Sequence, residues 1–234
     1  MENPISTLIK QSPIKTIIFP TFKLPLSIEQ CKSLLDGYLE KLVNLYKKAE
    51  VYDRTQNTAN IELVAKWLSA ETNNTKPSLM LNGAVGRGKS TIAIAIKEMV
   101  ASMKSANEQY LIRNRYKLPP EQIRYYEQWS RVHNIEYISA YEAVADDMSF
   151  AKACNTPVLI IDDFGVEPLT VKTYGTTCTP IIEIIYKRYN KRMPTIFTTN
   201  LSPAKISERY GERVWDRMKE WCNFIDFKGE SLRK

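Results

Sequence analysis

A glycine-rich segment that ends in lysine and serine carries the residues with the clearest chemical role. The segment Met80-Leu-Asn-Gly-Ala-Val-Gly-Arg-Gly-Lys-Ser-Thr91 fits the phosphate-loop pattern G-x-x-x-x-G-K-[ST]. Glycines let several backbone N–H groups approach phosphate oxygens, and the N-terminus of the following helix adds its unpaired N–H groups. Lys89 would reach the β- and γ-phosphates of ATP, and the Ser90 hydroxyl would bind Mg²⁺. The sequence therefore predicts a nucleotide-binding loop formed by Gly83, Ala84, Val85, Gly86, Arg87, Gly88, Lys89, Ser90 and Thr91.

Two consecutive aspartates follow an apolar run further along the chain. The run Val158-Leu-Ile-Ile161 has no polar alternation, which is typical of a strand buried on both faces of a parallel sheet. Asp162 and Asp163 come at its carboxyl end, where open α/β sheets bind their ligands. Asp162 would hold Mg²⁺, directly or through water, and Asp163 would orient the attacking water. Asn200, which ends the next strand candidate, could contact that water or the γ-phosphate. A surface turn with two aspartates is the alternative.

The elements that must position these residues alternate between strands and helices. Apolar strands are expected at residues 77–81, 135–140, 158–161, 194–200 and 223–227. Apolar residues recur at helical spacing from Ile92 to Met103, directly after the phosphate loop. Further helices are expected from about Asn60 to Glu71 and from Tyr141 to Ala153. This order predicts the α/β class with a parallel sheet.

Composition excludes several classes of protein. The 234 residues are 44% hydrophobic and 25% charged, which is ordinary for a soluble globular protein. No apolar run reaches about 18 residues, and the N-terminus lacks a secretory signal, so neither a membrane span nor export is expected. Four scattered cysteines and a single histidine, His133, disfavour a zinc site and favour free thiols in the cytoplasm. His133 is expected at the surface. The net charge of +7 permits a nucleic-acid partner without requiring one.

The N-terminal part of the chain has two interpretations. Ser27-Ile-Glu-Gln30 has the form of a capping box, so a helix should begin there. Its apolar seam either packs on the chain's own domain, which the short length favours, or docks on another protein. We divide the chain into an extension at residues 1–58, with this candidate partner-binding helix, and an ATPase domain at residues 59–234. Docking further predicts that a chain starting near Asn60 folds alone. The seam consists of Ile28, Cys31, Leu35, Tyr38, Leu42 and Leu45.

The segment from Tyr110 to Arg131 mixes basic and aromatic residues, and Pro119-Pro120 should begin a helix within it. Such a mixture could stack on single-stranded nucleic acid and neutralise its phosphates. However, Tyr125, Trp129 and Val132 fall at helical spacing, which is typical of a packed face. The packing interpretation is favoured.

Taken together, several segments resemble DnaC/IstB-type AAA+ ATPases in order and spacing. The resemblance covers about Ile61 to the C-terminus and implies a P-loop NTPase fold of the AAA+, ASCE type. In that fold a five-stranded parallel sheet is flanked by helices, with the phosphate-loop strand near its middle. Relatives that handle DNA often carry an extra helix before the acidic strand, whereas here the extra material lies earlier, so DNA contacts cannot be carried over. The segments are the phosphate loop, Ile161-Asp-Asp-Phe-Gly-Val-Glu-Pro168, Thr198-Thr-Asn200, Tyr210-Gly-Glu-Arg-Val-Trp-Asp-Arg-Met218 and Gly229-Glu-Ser-Leu-Arg233.

The resemblance also implies residue roles. Asp162 and Asp163 form the Walker B pair, and Asn200 is the sensor-1 residue. Arg217 matches the arginine finger that reaches into a neighbouring subunit's ATP. Arg213 would be an accessory to that finger, and Arg233 resembles a sensor-2 arginine. Without the resemblance, the simpler interpretation is that these arginines form exposed ion pairs, worth about 0–1 kcal/mol each, with Glu212, Asp216 and Glu220.

The implied function is an ATPase that forms an ATP-dependent homo-oligomer, assembles on a replicative DNA helicase and helps to place it on single-stranded DNA. An alternative within the same family is a transposition helper that acts on duplex DNA with a transposase. Two other classes stay open from the residues alone. One is a small-molecule kinase, for which no acceptor pocket or lid is evident in the sequence. The other is a module that binds ATP without hydrolysing it, which the intact Asp162, Asp163 and Asn200 disfavour.

Overall fold

The computed structural model describes residues 22–46, 58–72, 76–173 and 176–228. No helix in these ranges is both long and apolar enough to cross a membrane. The helices are α1 (Ile28–Tyr46), α2 (Thr58–Leu68), α3 (Lys89–Asn114), α4 (Pro120–Val132), α5 (Asp147–Asn155), α6 (Pro180–Asn190), α7 (Pro203–Tyr210) and α8 (Glu212–Trp221). The strands are β1 (Ser78–Gly83), β2 (Ile135–Ser139), β3 (Val158–Phe164), β4 (Val171–Thr173), β5 (Thr176–Cys178), β6 (Thr195–Thr199) and β7 (Cys222–Phe227).

Five of the strands form one parallel sheet in the order β2-β3-β6-β1-β7. This confirms the predicted α/β fold of a P-loop NTPase, with all five strands of the sheet at the expected places. Strand β6 lies between β1, which leads into the phosphate loop, and β3, which ends in the aspartates. The carboxyl ends of these three neighbouring strands therefore meet at one edge of the sheet. The short antiparallel pair β4–β5 was not predicted.

Each face of the sheet is covered by its own apolar cluster. Along β1, Leu79 and Leu81 belong to one cluster and Met80 to the other, because side chains of a strand alternate between faces. The first cluster includes buried residues of α1, α2 and α3, and the second includes buried residues of α5, α6, α7 and α8. The three strands that end at the candidate site are thus fixed between two helical layers, as a doubly covered parallel sheet requires.

Helix α1 begins with the predicted capping box. The backbone N–H of Ser27 donates to Gln30 Oε1 at 2.9 Å, and the backbone N–H of Gln30 donates to Ser27 Oγ at 3.1 Å. The helix packs against α2 and α3, and the side chains at its centre are buried in the first cluster. Its last apolar residue, Leu45, is 69% exposed. The structure thus agrees with the packing interpretation over most of the seam, and the boundary placed at residue 58 stays a prediction. The buried residues of α1 are Cys31, Leu35, Leu39 and Leu42.

The packing interpretation of residues 110–131 is correct only in part. Trp129 of α4 packs against the first cluster, as predicted. Tyr125, one turn earlier, is 56% exposed, and no residue of α4 is fully buried. The helical spacing of the aromatic residues predicted a packed face along the helix, but only the C-terminal end of α4 packs against the core.

The prediction that His133 lies at the surface is wrong. Its imidazole is buried and stacks on Trp129, with 4.2 Å between ring centroids. One ring nitrogen lies 2.9 Å from the carbonyl oxygen of Trp129, and the other lies 2.9 Å from that of Lys23. The histidine thereby joins the segment before α1 to the end of α4.

A buried arginine secures the edge of the sheet opposite the candidate site. Arg188 of α6 has no exposed surface, and burial lowers the pKa of its guanidinium to about 9, so the group is charged at neutral pH. Its N–H groups donate at 2.7–2.9 Å to one hydroxyl and three backbone carbonyls. These acceptors connect the C-terminal end of α5 to the segment that enters β6, and they are Thr195 Oγ1, Ala153 O, Thr156 O and Pro194 O.

Candidate functional site

The phosphate loop lies between the end of β1 and the start of α3, as predicted. Gly86 and Gly88 have φ values of 81° and 82°, in the left-handed region that favours glycine. Gly83 has a φ of 145°, and a Cβ at this position would lie 2.5 Å from the carbonyl oxygen of Phe227. The loop thus needs its glycines both for its turns and for its close approach to β7. Such consecutive turns, followed by a helix N-terminus, form a concave array of N–H groups suited to an anion.

Lys89 is directed back into this loop. Its Nζ atom donates to the carbonyl oxygens of Gly83 at 2.6 Å and Ala84 at 2.8 Å. It also donates to Oδ1 of Asn200 at 2.8 Å. The structure therefore brings together two residues, 111 positions apart, that the sequence predicted for the same site. The lysine is buried and held at the loop, where a phosphate oxygen could replace one of its present acceptors.

The other predicted loop residues have different surroundings. The Nη1 group of Arg87 donates to the carbonyl oxygen of Phe227 at 2.8 Å, so this side chain fixes the loop to β7. Val85 is 59% exposed. Ser90 and Thr91 lie in the first turn of α3, directly after the loop. Nucleotide binding by Val85, Arg87, Ser90 and Thr91 stays a prediction.

The two aspartates stand at the end of β3 with opposite exposure. Asp162 is buried and Asp163 is exposed. The pairing of β3 with β6 shifts register between Ile161 and Phe164, and Asp163 has a φ of 53°. A left-handed conformation is uncommon outside glycine, although aspartate adopts it more readily than most residues. The irregularity turns the second carboxylate out of the sheet toward solvent, where it can hold a water molecule.

Two hydroxyl groups from the neighbouring strands hold Asp162. Thr198 Oγ1 on β6 donates to Asp162 Oδ1 at 2.5 Å, and Tyr137 Oη on β2 donates to Asp162 Oδ2 at 2.5 Å. The backbone N–H of Asp163 in turn donates to Thr198 Oγ1 at 2.9 Å. Both carboxylate oxygens are thereby oriented, and each keeps a lone pair for a cation or its water ligand.

Neither hydroxyl was predicted to have a role. Burial, followed by the hydrogen bond to Asp162 and that residue's charge, raises the pKa of Tyr137, so the phenol stays protonated and donates. Its position depends on the parallel register of β2 and β3, in which Tyr137 pairs with Ile160. No local signal in the sequence marks such a contact. Thr198 does belong to the segment Thr198-Thr-Asn200. Because residues two positions apart in an extended chain point to the same side, its spacing from Asn200 could have indicated a place near the site.

A second buried carboxylate fixes the loop that follows β3. Glu167 is almost fully buried, and its Oε2 accepts from the backbone N–H of Gly165 at 2.8 Å. The hydroxyl of Tyr210 donates to Glu167 Oε1, and the guanidinium of Arg209 donates to the Glu167 carbonyl. Burial, then the charge of Glu167, raises the pKa of Tyr210, which favours the protonated donor. The acidic loop is therefore tied to the end of α7, immediately before α8.

The two predicted arginines of α8 have different surroundings. The guanidinium carbon of Arg217 is 4.1 Å from the ring centroid of Tyr186 and 5.5 Å from that of Tyr189, both on α6. Arg213 is exposed. Asp216 pairs with Lys219, and Glu220 pairs with Arg192. Within the described ranges, these two carboxylates therefore form no ion pair with Arg213 or Arg217. Arg233 lies outside the described residues.

The donor set fits ATP and Mg²⁺. A buried lysine, a nest of backbone N–H groups and a helix N-terminus suit phosphate oxygens. The Ser90 hydroxyl and the Asp162 carboxylate are oxygen ligands of the kind that Mg²⁺ prefers. The described residues include no cluster of three or more His, Cys, Asp or Glu side chains. Mg²⁺ commonly binds through one or two carboxylates together with phosphate oxygens, so the arrangement is compatible with a cation that arrives with the nucleotide.

No protein-family model matches the chain, and no curated protein sequence matches it. Several solved structures are similar to it. A crystal structure of DnaI is 13% identical, with a TM-score of 0.49, over 80% of this chain and 89% of that one. A DnaC helicase loader is 22% identical, with a TM-score of 0.43, over 78% and 95%. AMPPCP-bound DnaA from Aquifex aeolicus is 15% identical, with a TM-score of 0.47, over 80% and 51%. These names agree with the family that the motifs resemble, but identities and TM-scores this low assign no activity to the chain.

Proposed function

We propose that this chain is a Mg²⁺-dependent ATPase of the helicase-loader type. The observation that carries the ATPase proposal is the contact between Lys89 Nζ and Asn200 Oδ1 at 2.8 Å. This contact joins the phosphate loop to β6, and Thr198 on the same strand binds Asp162. A phosphate-binding half after β1 and an acidic half at the end of β3 are thereby joined through β6, the strand between them, and metal-assisted phosphoryl transfer requires both halves close together.

Each residue has a distinct task in this proposal. Ser90 and Asp162 would hold Mg²⁺, and the cation would supply positive charge that offsets the negative charge developing on the phosphates. Lys89 and the loop N–H groups bind and orient the phosphates. The exposed carboxylate of Asp163 orients a water molecule and accepts its proton. Asn200 can turn its amide from Lys89 toward the water or the terminal phosphate, since its side chain lies at the exposed end of β6.

Substitution of Asp163 and of Lys89 separates ATP hydrolysis from ATP binding. Asp163→Asn keeps a residue that tolerates the left-handed backbone but removes the base, so turnover should fall by about 100-fold or more. The affinity for a fluorescent ATP analogue should stay close to that of the wild type. Lys89→Ala should lose nucleotide binding itself. Asp147→Asn, an exposed aspartate on α5, serves as the matched control. Equal turnover in Asp163→Asn and wild type would contradict the assignment.

The finer part of the proposal concerns assembly and partner. The motif resemblance supports a homo-oligomer in which Arg217 contacts the ATP of the neighbouring subunit, and a replicative DNA helicase as the protein that the assembly binds. In the monomer, Arg217 rests on Tyr186 and Tyr189, and these cation–π contacts are weak enough at a surface for the guanidinium to move. A planar, permanently charged guanidinium suits a terminal phosphate.

Mixing two inactive variants tests the contact between subunits. Arg217→Ala should bind ATP and hydrolyse it poorly, and Lys89→Ala should fail to bind ATP. In a mixed assembly, an intact ATP site of the first variant can face an intact arginine of the second, so activity should return. A mixture that assembles but stays inactive would refute the role of Arg217 between subunits. Co-purification with a hexameric helicase, compared with a transposase, tests the partner separately.

A further inference from the structure

The outer part of the α3–α4 pair extends beyond the apolar core. Helix α3 has 26 residues, but its buried residues end at Val100 apart from Leu111, and α4 has none. Polar contacts hold the two helices together instead. Asn107 Nδ2 donates to the Tyr126 carbonyl at 3.1 Å and to Ser130 Oγ at 2.9 Å, and Arg115 pairs with Glu127 at 3.0 Å. The pair is therefore an ordered feature of the fold whose outer surface is not used for packing.

That surface presents tyrosine rings to solvent. Tyr110 on α3 is 44% exposed, Tyr125 on α4 is 56% exposed, and Tyr116 in the connection is 79% exposed. Tyr126 connects the two helices, with ring centroids 5.4 Å from Tyr110 and 5.6 Å from Tyr125. The result is a row of three aromatic side chains across the pair, and its outer two members keep much of their surface free for a ligand.

Positive charges accompany these rings. Residues 104–131 include six lysines and arginines but only three glutamates. The ion pairs of the described chain include Arg115 but not Arg113, Lys117 or Arg124. Lys117 instead lies over the Tyr116 ring, with 5.2 Å between Nζ and the ring centroid. Arginines without a carboxylate partner, next to exposed rings, present both charge and stacking surfaces to an anionic aromatic polymer.

We propose that this surface, formed by Tyr110, Arg113, Tyr116, Lys117, Arg124 and Tyr125 and here called the tyrosine surface, binds single-stranded nucleic acid. Unstacked bases offer π-faces to tyrosine rings, while the phosphates pair with the cations. In duplex DNA the bases are stacked on one another, so a duplex would contact the lysines and arginines of this surface through its phosphates but not the tyrosine rings. A protein partner would be expected to meet a more continuous apolar patch, whereas Ile112 is the one large aliphatic side chain of residues 104–131 that is exposed. The inference extends the proposed function by assigning the nucleic-acid contact to a surface outside the ATP site.

Fluorescence anisotropy of the full chain with a labelled oligothymidylate, and with a duplex of equal length, tests the proposal. Tyr125→Ala should weaken binding to the single strand about tenfold, which is the loss expected for one base stack, and Tyr110→Ala should weaken it further. Tyr125→Phe keeps the ring and should bind like the wild type. Tyr141→Ala removes a tyrosine that is 61% exposed elsewhere and is the matched control.

Charge variants give a second measurement that leaves the rings in place. Arg113→Gln and Arg124→Gln should each reduce the slope of log affinity against log salt by about 0.7, because each removes a phosphate contact to a single strand. Tighter binding to the duplex, no binding by the wild type, or equal affinities for wild type and the Tyr110→Ala/Tyr125→Ala double variant would overturn the proposal. So would a double variant that binds oligonucleotide normally but no longer binds a helicase, since the surface would then recognise protein.

The outcome is separable from that of the proposed ATPase. Asp163→Asn should lose turnover while keeping its affinity for the oligonucleotide. The double tyrosine variant should keep the ATPase rate measured without nucleic acid. ATP turnover therefore tests the proposed ATPase, and oligonucleotide affinity tests the tyrosine surface, so either proposal can fail without the other.

Discussion

The substitution Leu35→Ala tests whether helix α1 belongs to the ATPase core or is a separate extension. Leu35 is 1% exposed and lies in the cluster that also contains Leu79 and Leu81 of the phosphate-loop strand. Truncation of a buried leucine removes apolar contacts and leaves a cavity, which costs about 2–5 kcal/mol. The free energy of unfolding of an ordinary domain is about 5–15 kcal/mol, so this substitution should remove a large fraction of the total stability.

Leu45→Ala is the matched control, because it is the same substitution in the same helix at a residue that is 69% exposed. Its effect should stay within about 0.5 kcal/mol, as for most surface substitutions. The free energy of unfolding is measured for both variants by urea titration followed by circular dichroism. The affinity for an ATP analogue is measured in parallel, and for Leu35→Ala it should fall only at urea concentrations at which the variant unfolds.

Equal losses in the two variants would refute this reasoning. Helix α1 would then contribute little to the core, and the division at residue 58 would describe two independent units. If the losses differ as expected, removal of residues 1–58 should expose the apolar faces of α2 and α3, and a chain starting near Asn60 should not fold by itself.

Three further predictions concern individual polar contacts. Tyr137→Phe removes a hydroxyl that orients Asp162, so the Mg²⁺ concentration for half-maximal ATPase activity should rise about 10–100-fold, while an unchanged Mg²⁺ titration would contradict the positioning role. Arg188→Met leaves the carbonyls of Ala153 and Thr156 without a donor, at roughly 1–3 kcal/mol each, while the Pro194 carbonyl still accepts from the Leu159 N–H, so urea denaturation should show a loss of at least about 2 kcal/mol. Burial lowers the pKa of Lys23 from 10.5 to about 8, so the unfolded chain binds more protons between these values and stability should rise with pH across that window. Lys23→Met should lack this rise, and parallel pH profiles for the two proteins would show that Lys23 does not cause it.

The site residues that could be predicted from the sequence are those fixed by local geometry or by strand direction. The loop from Gly83 to Ser90 is a local pattern, because its glycine spacing alone determines the backbone turns. Asp162, Asp163 and Asn200 were found because parallel strands bring their carboxyl ends to one edge of the sheet. Neither inference needed to know which strands are neighbours.

Contacts that depend on packing between distant segments could not be predicted. Tyr137 reaches Asp162 only through the register of β2 and β3. His133 is buried because Phe22 and Lys23, about 110 residues earlier, return to its side chain. The exposure of Tyr125 depends on how far α3 extends past the core, and a helical pattern alone does not determine that length.

Strand β6 explains why the two halves of the candidate site should act as one. Its residues are buried throughout, and it is paired on both sides, so it is among the least movable parts of the fold. Thr198 contacts Asp162 and the backbone of Asp163, and Asn200 contacts Lys89 two residues later. A shift of the phosphate loop relative to the acidic strand would have to break contacts at this strand. Sequence changes near Lys89 should therefore influence the geometry around Asp162 through β6 itself, without a separate signalling element.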